Sequence, residues 1–296
     1  MRPHHHGYRG RFAPSPSGLL HFGSLIAALA SYLDAKHNRG QWLVRIEDID
    51  PPREKIGASK EILKTLNSYG LHWDEEVLYQ SQQSHLYQDI LNSLSQENLS
   101  YYCNCTRAHI KSVGGIYQGH CRHLTVQTSN ETPCAVRIIN SVGIAQFEDL
   151  IQGHVQCNKK FASEDFIIHR KDGLFAYQLA VVVDDIYQGI SHVIRGCDLL
   201  EPTARQLSFY NILQHQAPKY GHFPVAVTEQ GFKLSKQNNA PEINVKKPIP
   251  TLLSALNFLG QEPLNELEYA NLEELLQWAI THWSIDKIPK AHEIIL

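Results

Sequence analysis

Two short strings, far apart in the chain, carry residue types suited to handling phosphate. The first is Arg11-Phe12-Ala13-Pro14-Ser15-Pro16-Ser17-Gly18-Leu19-Leu20-His21-Phe22-Gly23-Ser24. It reads as a strand end, a loop braced by prolines, and a histidine and glycine opening a helix. Orphan backbone N–H groups and the helix dipole make such a turn a site for an anion. Gly23 lets a phosphate or an adenine ring approach the backbone. His21 can donate to a phosphate oxygen as charge builds during displacement. The second string is Lys233-Leu234-Ser235-Lys236. Two lysines on a loop can neutralise a triphosphate and a departing pyrophosphate. Each string is weak alone, since turn histidines and lysine-bearing surface loops are common. Their meaning comes from the pair.

A third constellation points to a metal. Cys103, Cys105 and Cys121 lie within 19 residues of one another, in CNCTRAHIKSVGGIYQGHC. The chain starts with no apolar secretory segment, so its even count of six cysteines does not imply disulfides. Three thiolates this close would fold the segment around a tetrahedral Zn2+. On chemistry alone the fourth ligand stays open among Tyr117, His109, His120 and His123. Cys134, Cys157 and Cys197 read as core or surface residues.

The elements that must position these residues follow from periodicity. Residues 8–16 read as a strand running into the proline loop, and residues 23–37 as an Ala- and Leu-rich helix. QWLVRIEDID is a second strand, and residues 57–69 and 84–97 are amphipathic helices. Strand, glycine-containing turn, helix and strand open a parallel α/β sheet. Between 101 and 173 the alternation gives way to cysteines, short β-like runs (CAVRIIN, AQFEDLI) and polar turns, which reads as an inserted subdomain. The α/β character resumes at FAYQLAVVVDD, with HVIRG as a strand and PTARQLSFYNILQH as a helix bearing Pro202 in its first turn. PVAVTEQGFKLSK is hairpin-like, APEINVKKPIP a linker, and the last 46 residues two or three short helices. The expected division is a discontinuous Rossmann-type core over 8–100 and 174–240, a zinc-binding insertion over 101–173, and a helical segment over 241–296.

Composition sets bounds. With 43% hydrophobic and 19% charged residues, the chain can bury a sizeable core. No apolar run reaches the roughly 18 residues of a membrane span, so a cytoplasmic protein with no membrane partner is expected. A net charge of −3 gives no global attraction to nucleic acid; an RNA partner would need a local basic surface, and no DNA partner is expected.

Taken in order, the two phosphate strings resemble the HIGH and KMSKS signatures of class I aminoacyl-tRNA synthetases. RFAPSPSGLLHFG is similar to the glutamyl version, RFAPSPTG-x-LH-x-G, and the resemblance continues through VRIEDIDPPR and HVIRGCDLL over about residues 8–240. Phe22 stands for Ile, Leu234 for Met and Gln237 for Ser, while the histidine, the glycine and both lysines remain. The glutaminyl version, closer to RFPPEPNG, is not matched. The resemblance implies ATP-dependent activation of L-glutamate, with Mg2+ entering with ATP. His21, Lys233 and Lys236 would be catalytic, and His21, Gly23 and Lys236 would bind ATP. It also implies that Arg11, Ala13 and Ser15 line the glutamate site, that Glu47 holds the α-ammonium, and that Tyr177 and Arg195 complete it. Arginine forks suit the two carboxylates of that substrate. Asp48 and Asp50 are a possible magnesium pair that nothing in the sequence selects.

Only 60 residues, 237–296, follow Lys236, too few for the helical anticodon-binding region of full glutamyl-tRNA synthetases. The chain thus resembles the truncated branch, the glutamyl-queuosine tRNA(Asp) synthetases. Their expected partner is tRNA(Asp) carrying queuosine at the wobble position, and they use Tyr117's counterpart as the fourth zinc ligand. Two other readings compete: a short glutamyl-tRNA synthetase charging tRNA 3′ ends, and a non-catalytic paralogue that binds tRNA or an amino acid.

Overall fold

The computed structural model describes residues 7–129, 132–229, 232–233 and 242–296. Strand β1 (Arg9–Phe12) leads through the proline loop into helix α1 (Phe22–His37) and then β2 (Gln41–Ile46). β1 and β2 pair in parallel, Arg11 opposite Leu43. Helix α1 is apolar nearly all round and is buried from Leu25 to Ala35 with one gap at Ala27, as a helix inside a core must be. Helix α2 (Ala58–Ser68) follows, and β3 (Leu78–Tyr79) adds to β2 in parallel. Helix α3 (Ser84–Gln96) then leads out of this half.

The next stretch is antiparallel, which is why its periodicity breaks from its surroundings. β4 (Ser100–Cys103), helix α4 (Arg107–Ser112) and β5 (Ala135–Ile138) come first. β6 (Gln146–Asp149) and β7 (Gly153–Gln156) form a hairpin, then α5 (Lys159–Ala162) and β8 (Ile167–His169) follow. β5 lies between β4 and β8, antiparallel to both.

FAYQLAVVVDD forms helix α6 (Tyr177–Tyr187), so densely apolar that Leu179 to Val183 are all buried. β9 (His192–Gly196), α7 (Leu200–Ile212) and β10 (Lys219–Phe223) complete a second parallel pair. β9 lies against β1, joined by the Ser191 N–H donating to the Arg9 carbonyl at 3.0 Å. Two parallel sheets, β3-β2-β1 and β9-β10, thus meet along β1 and β9 in the α/β arrangement that the sequence predicts.

β11 (Val225–Glu229) and β12 (Phe232–Lys233) form the expected hairpin. Helix α8 (Pro248–Phe258) starts inside the expected linker, because proline at its first position needs no donor there. Helix α9 (Leu272–His282) is closed by an Asn271–Glu274 capping box. The tail holds a strand that periodicity misses: β13 (Glu293–Ile295) pairs in parallel with β11. Three residues pairing with a partner some 70 positions away leave no local signal. Leu252, Leu256, Leu275 and Trp283 share one core with Leu25, Leu29 and Trp42. Each fully buried leucine there stabilises by roughly 1.5–3 kcal/mol. Trp283 also donates to Asp34 of α1 at 2.9 Å. No helix among the described residues is long and apolar enough to cross a membrane.

Candidate active site

The proline loop is strapped at both ends by backbone bonds. The Glu47 N–H donates to the Pro14 carbonyl at 3.0 Å, and the Lys55 N–H to Pro16 at 2.9 Å. At its far end the Ser24 hydroxyl accepts from the His21 N–H at 3.0 Å, fixing the first turn of α1. Ala13, His21 and Gly23 are half-buried and Ser15 is exposed. The described chain stops at Lys233, whose backbone lies opposite Val227 in β12. It resumes at Glu242, which bridges to His21, while the Ile243 N–H donates to the Leu20 carbonyl. Leu234, Ser235, Lys236 and Gln237 lie outside the described residues.

Beside this loop, four charged or phenolic groups come together near the strand ends. Arg11 comes from β1, Glu47 follows β2, Tyr177 opens α6, and Arg195 sits near the end of β9. The Tyr177 phenol is pushed up by burial; Arg195 and Arg11 pull it down, and Glu47 and Asp185 raise it. These groups therefore share one field, in the crevice where open α/β sheets hold ligands. Burial raises Glu47 to about 7, against the opposing pull of Arg45 and Arg11.

The two buried arginines of the predicted set differ in kind. Arg11 is committed to Asp185, with Nε and Nη2 each donating to that carboxylate at 3.3 Å. Arg45, fully buried, donates to the same Asp185 at 2.8 Å and lies 3.7 Å from both Glu47 and Asp184. Arg195 has no ion pair among the described residues. Its Nε donates to His222, its Nη2 to Leu199, Thr203 and Gln206, and its buried Nη1 has no hydrogen-bond partner. A buried guanidinium held only by neutral acceptors invites an anion.

Sequence reading missed Asp185, Arg45 and Asp184, which set the charge of this crevice. A signal was present: an arginine inside the apolar strand WLVRI and two acids ending the apolar run LAVVVDD are costly to bury unless paired. Asp48 and Asp50, the unselected magnesium pair, are taken by protein groups. Asp48 accepts from Ser81 N–H and Oγ at 2.8 and 2.7 Å, and Asp50 pairs with Arg53 and with Arg170 at 3.3 Å.

The thiols of Cys103, Cys105 and Cys121 lie within 4.8 Å of one another, and no histidine or carboxylate among the described residues joins them. Cys105 and Cys121 sulfurs are 3.5 Å apart. Bonds of about 2.3 Å to a tetrahedral zinc would set sulfurs ~3.8 Å apart, so the cluster fits that ion. The Tyr117 hydroxyl sits against it, accepting from the Cys121 N–H at 2.7 Å, with Arg137 stacked 3.8 Å over its ring. Burial pushes the Cys103 thiol up, but hydrogen bonds from Arg137, the Cys105 backbone and Tyr117 leave it below its usual value. The local core is only Cys103, Tyr117 and Cys121 with a few half-buried neighbours, too little apolar area to hold the segment by itself. Chelation should therefore speed amide exchange over residues 101–121 before the β1–β2 core responds. Equal loss in both regions, or no change in either, would rule out a structural zinc here.

A model of the family described as tRNA synthetases class I (E and Q), catalytic domain, matches residues 8–288. The glutamyl-Q tRNA(Asp) synthetase of Colwellia psychrerythraea is 62% identical over 298 residues, spanning 97% of this chain and 94% of its own. The protein of the same name from Escherichia coli O157:H7 is 54% identical, spanning 96% of this chain and 91% of its own. Among solved structures, a glutamate tRNA ligase from Elizabethkingia meningosepticum in complex with its amino acid matches with a TM-score of 0.80 at 25% identity. That match covers 96% of this chain and 66% of the ligase, so this chain spans about two thirds of its length. On the family model and relatives of this identity over nearly their whole length, the chain belongs to the glutamyl-Q tRNA(Asp) synthetase family of class I tRNA synthetases, and is a ligase.

Proposed function

We propose that this chain activates L-glutamate with ATP in the absence of tRNA, then transfers the glutamyl group to the cyclopentenediol of queuosine in tRNA(Asp). The observation that carries the reading is Arg195: a buried cation with no ion pair among the described residues, acting on the same Tyr177 phenol as an ammonium-binding candidate, Glu47. Glutamate would bring a carboxylate to Arg195 and an ammonium to Glu47, which Arg45 approaches only to 3.7 Å. In the first step a glutamate α-carboxylate oxygen bonds to the α-phosphorus, the bond to the β-phosphate oxygen breaks, and pyrophosphate leaves. In the second, a queuosine ring hydroxyl attacks the acyl carbon, its proton is lost, and AMP departs with the former C–O bond electrons. No protein nucleophile is required; positioning and charge stabilisation carry both steps. His21 and Gly23 would receive the nucleotide at the α1 turn, with Lys233 and Lys236 neutralising the phosphates. The Glu242 bridge to His21 supports this, because it ties the chain just beyond Lys236 to that same turn. Magnesium, entering with ATP, would offset triphosphate charge. Arg11, Ala13, Ser15 and Tyr177 would line the amino-acid side. Cys103, Cys105, Cys121 and Tyr117 would hold a structural zinc.

Pyrophosphate exchange with glutamate and no tRNA tests activation, and labelled glutamate offered to tRNA(Asp) with and without queuosine tests the acceptor. Label on a 3′ adenosine would favour a short tRNA-charging enzyme. No exchange under any condition would favour the non-catalytic paralogue.

Glu47 adds a pH signature. Its carboxyl, raised to about 7 by burial, must be ionised to meet an ammonium. The KM for glutamate should thus climb as pH falls below 7, approaching about tenfold per unit. Glu47→Gln should raise KM at pH 8 and flatten that slope. A wild-type KM that stays level between pH 8 and 6 removes Glu47 from the role.

A further inference from the structure

We propose that His222 and Asp149 are positioning residues for substrate recognition: they hold the Arg195 guanidinium so that its Nη1 edge is left for a glutamate carboxylate. This rests on the reading of Arg195 as the substrate's cation. The three side chains form one buried line. Arg195 Nε donates to His222 Nε2 at 3.0 Å, and His222 Nδ1 lies 2.6 Å from Asp149 Oδ2. A guanidinium has only donors, so Nε2 must carry its lone pair and the ring proton sits on Nδ1, facing the carboxylate. His222 is therefore the neutral imidazole, in agreement with burial holding it down at about 4.

Asp149 is built to fix that tautomer. Its Oδ1 accepts backbone N–H groups of Ile151, Gln152 and His222 at 3.0, 2.9 and 3.0 Å, leaving Oδ2 for the imidazole. Burial raises Asp149, but those bonds and His222 bring it below the ordinary carboxylate range, so it is an anion. An anion behind a neutral ring makes Nε2 a stronger acceptor and sets the ring plane, as carboxylate–histidine pairs do behind metal ions. It also explains why the acid stands one residue away from the cation. Direct contact would neutralise Arg195, as Asp185 neutralises Arg11; through a neutral ring, Arg195 is oriented yet keeps its charge for a ligand. Asp149 ends β6 of the antiparallel hairpin, while His222 and Arg195 face each other across β10 and β9. The hairpin thus takes part in recognising the amino acid.

The test compares His222→Gln, His222→Leu and Asp149→Asn by glutamate binding in calorimetry, by KM and kcat in tRNA-free pyrophosphate exchange, and by Tm. His222→Leu deletes the acceptor, and Asp149→Asn frees the ring to turn a proton toward Arg195. Both should weaken glutamate by about 10–100-fold, with the KM for ATP and the kcat at saturating glutamate unchanged. His222→Gln, whose amide oxygen can accept from Nε, should restore most of the loss. Should His222→Leu not fold, the other two variants decide. Wild-type glutamate affinity in Asp149→Asn overturns the proposal. So does a loss of ATP and glutamate affinity together in step with Tm, which would mark a packing role. Arg195→Ala separates the two levels. If it too leaves glutamate binding intact, the reading of the pocket fails; if it abolishes binding while the His222 and Asp149 variants bind normally, only the positioning role fails.

Discussion

Arg195→Met should lower kcat/KM for glutamate in pyrophosphate exchange by roughly two to three orders of magnitude, since losing one partner of a buried charge contact costs about 2–5 kcal/mol. The effect should fall on glutamate and spare the KM for ATP, because the arginine belongs to the β9 end of the crevice and the turn proposed for the nucleotide lies at α1. The fold should tolerate the change. Breaking a compensated ion pair strands a charge, but here the residue removed is the uncompensated charge. Relief of that buried cation offsets the acceptors of Thr203, Gln206 and His222 that lose their donor. Tm should therefore stay close to the parent's while activity collapses. Arg195→Lys, which keeps the charge but loses the fork, should fall between. Equal loss of glutamate and ATP affinity would show that Arg195 supports the crevice without touching substrate.

The sequence made the local elements legible because their signals are local. Helix α1 declares itself through its Ala/Leu run, β1 and β2 through short apolar strings, and the β11–β12 hairpin through a glycine between two β-like halves. Cys103, Cys105 and Cys121 could be grouped from spacing alone, and the structure brings their sulfurs together. What stayed hidden depends on pairing at a distance. Strand β13 has three residues and a partner near position 226. The linkage of Asp149, His222 and Arg195 joins residues up to 73 positions apart, and neither Asp149 nor His222 belongs to a spaced motif. Arg11 and Arg195 look equivalent in a sequence; only the fold shows that Asp185 already pairs with Arg11, while no acid among the described residues pairs with Arg195. On the proposed reading, that distinction selects Arg195 as the cation for the substrate.

Asp185 itself should be the most damaging single site in the crevice for stability. Its carboxylate accepts from both Arg11 and Arg45, so Asp185→Asn, nearly isosteric, leaves two buried guanidinium groups short of one anion. Breaking a buried pair in this way costs about 3–5 kcal/mol, which for a chain of this size means a fall in Tm on the order of ten degrees. The pH dependence gives the cause away. Burial pushes the Asp185 carboxyl up, but Arg11 and Arg45 outweigh it and hold the group below its usual value. A depressed folded value contributes stability that is present above the unfolded value near 4 and disappears as pH falls through the folded one. The gap between parent and variant should accordingly be full at neutral pH and close only in acid. The same substitution also removes a negative charge that raises Glu47, so the pH at which glutamate binding fades should move down in the variant. A constant Tm gap at every pH would assign the loss to packing, and the ion-pair account of this crevice would have to be given up.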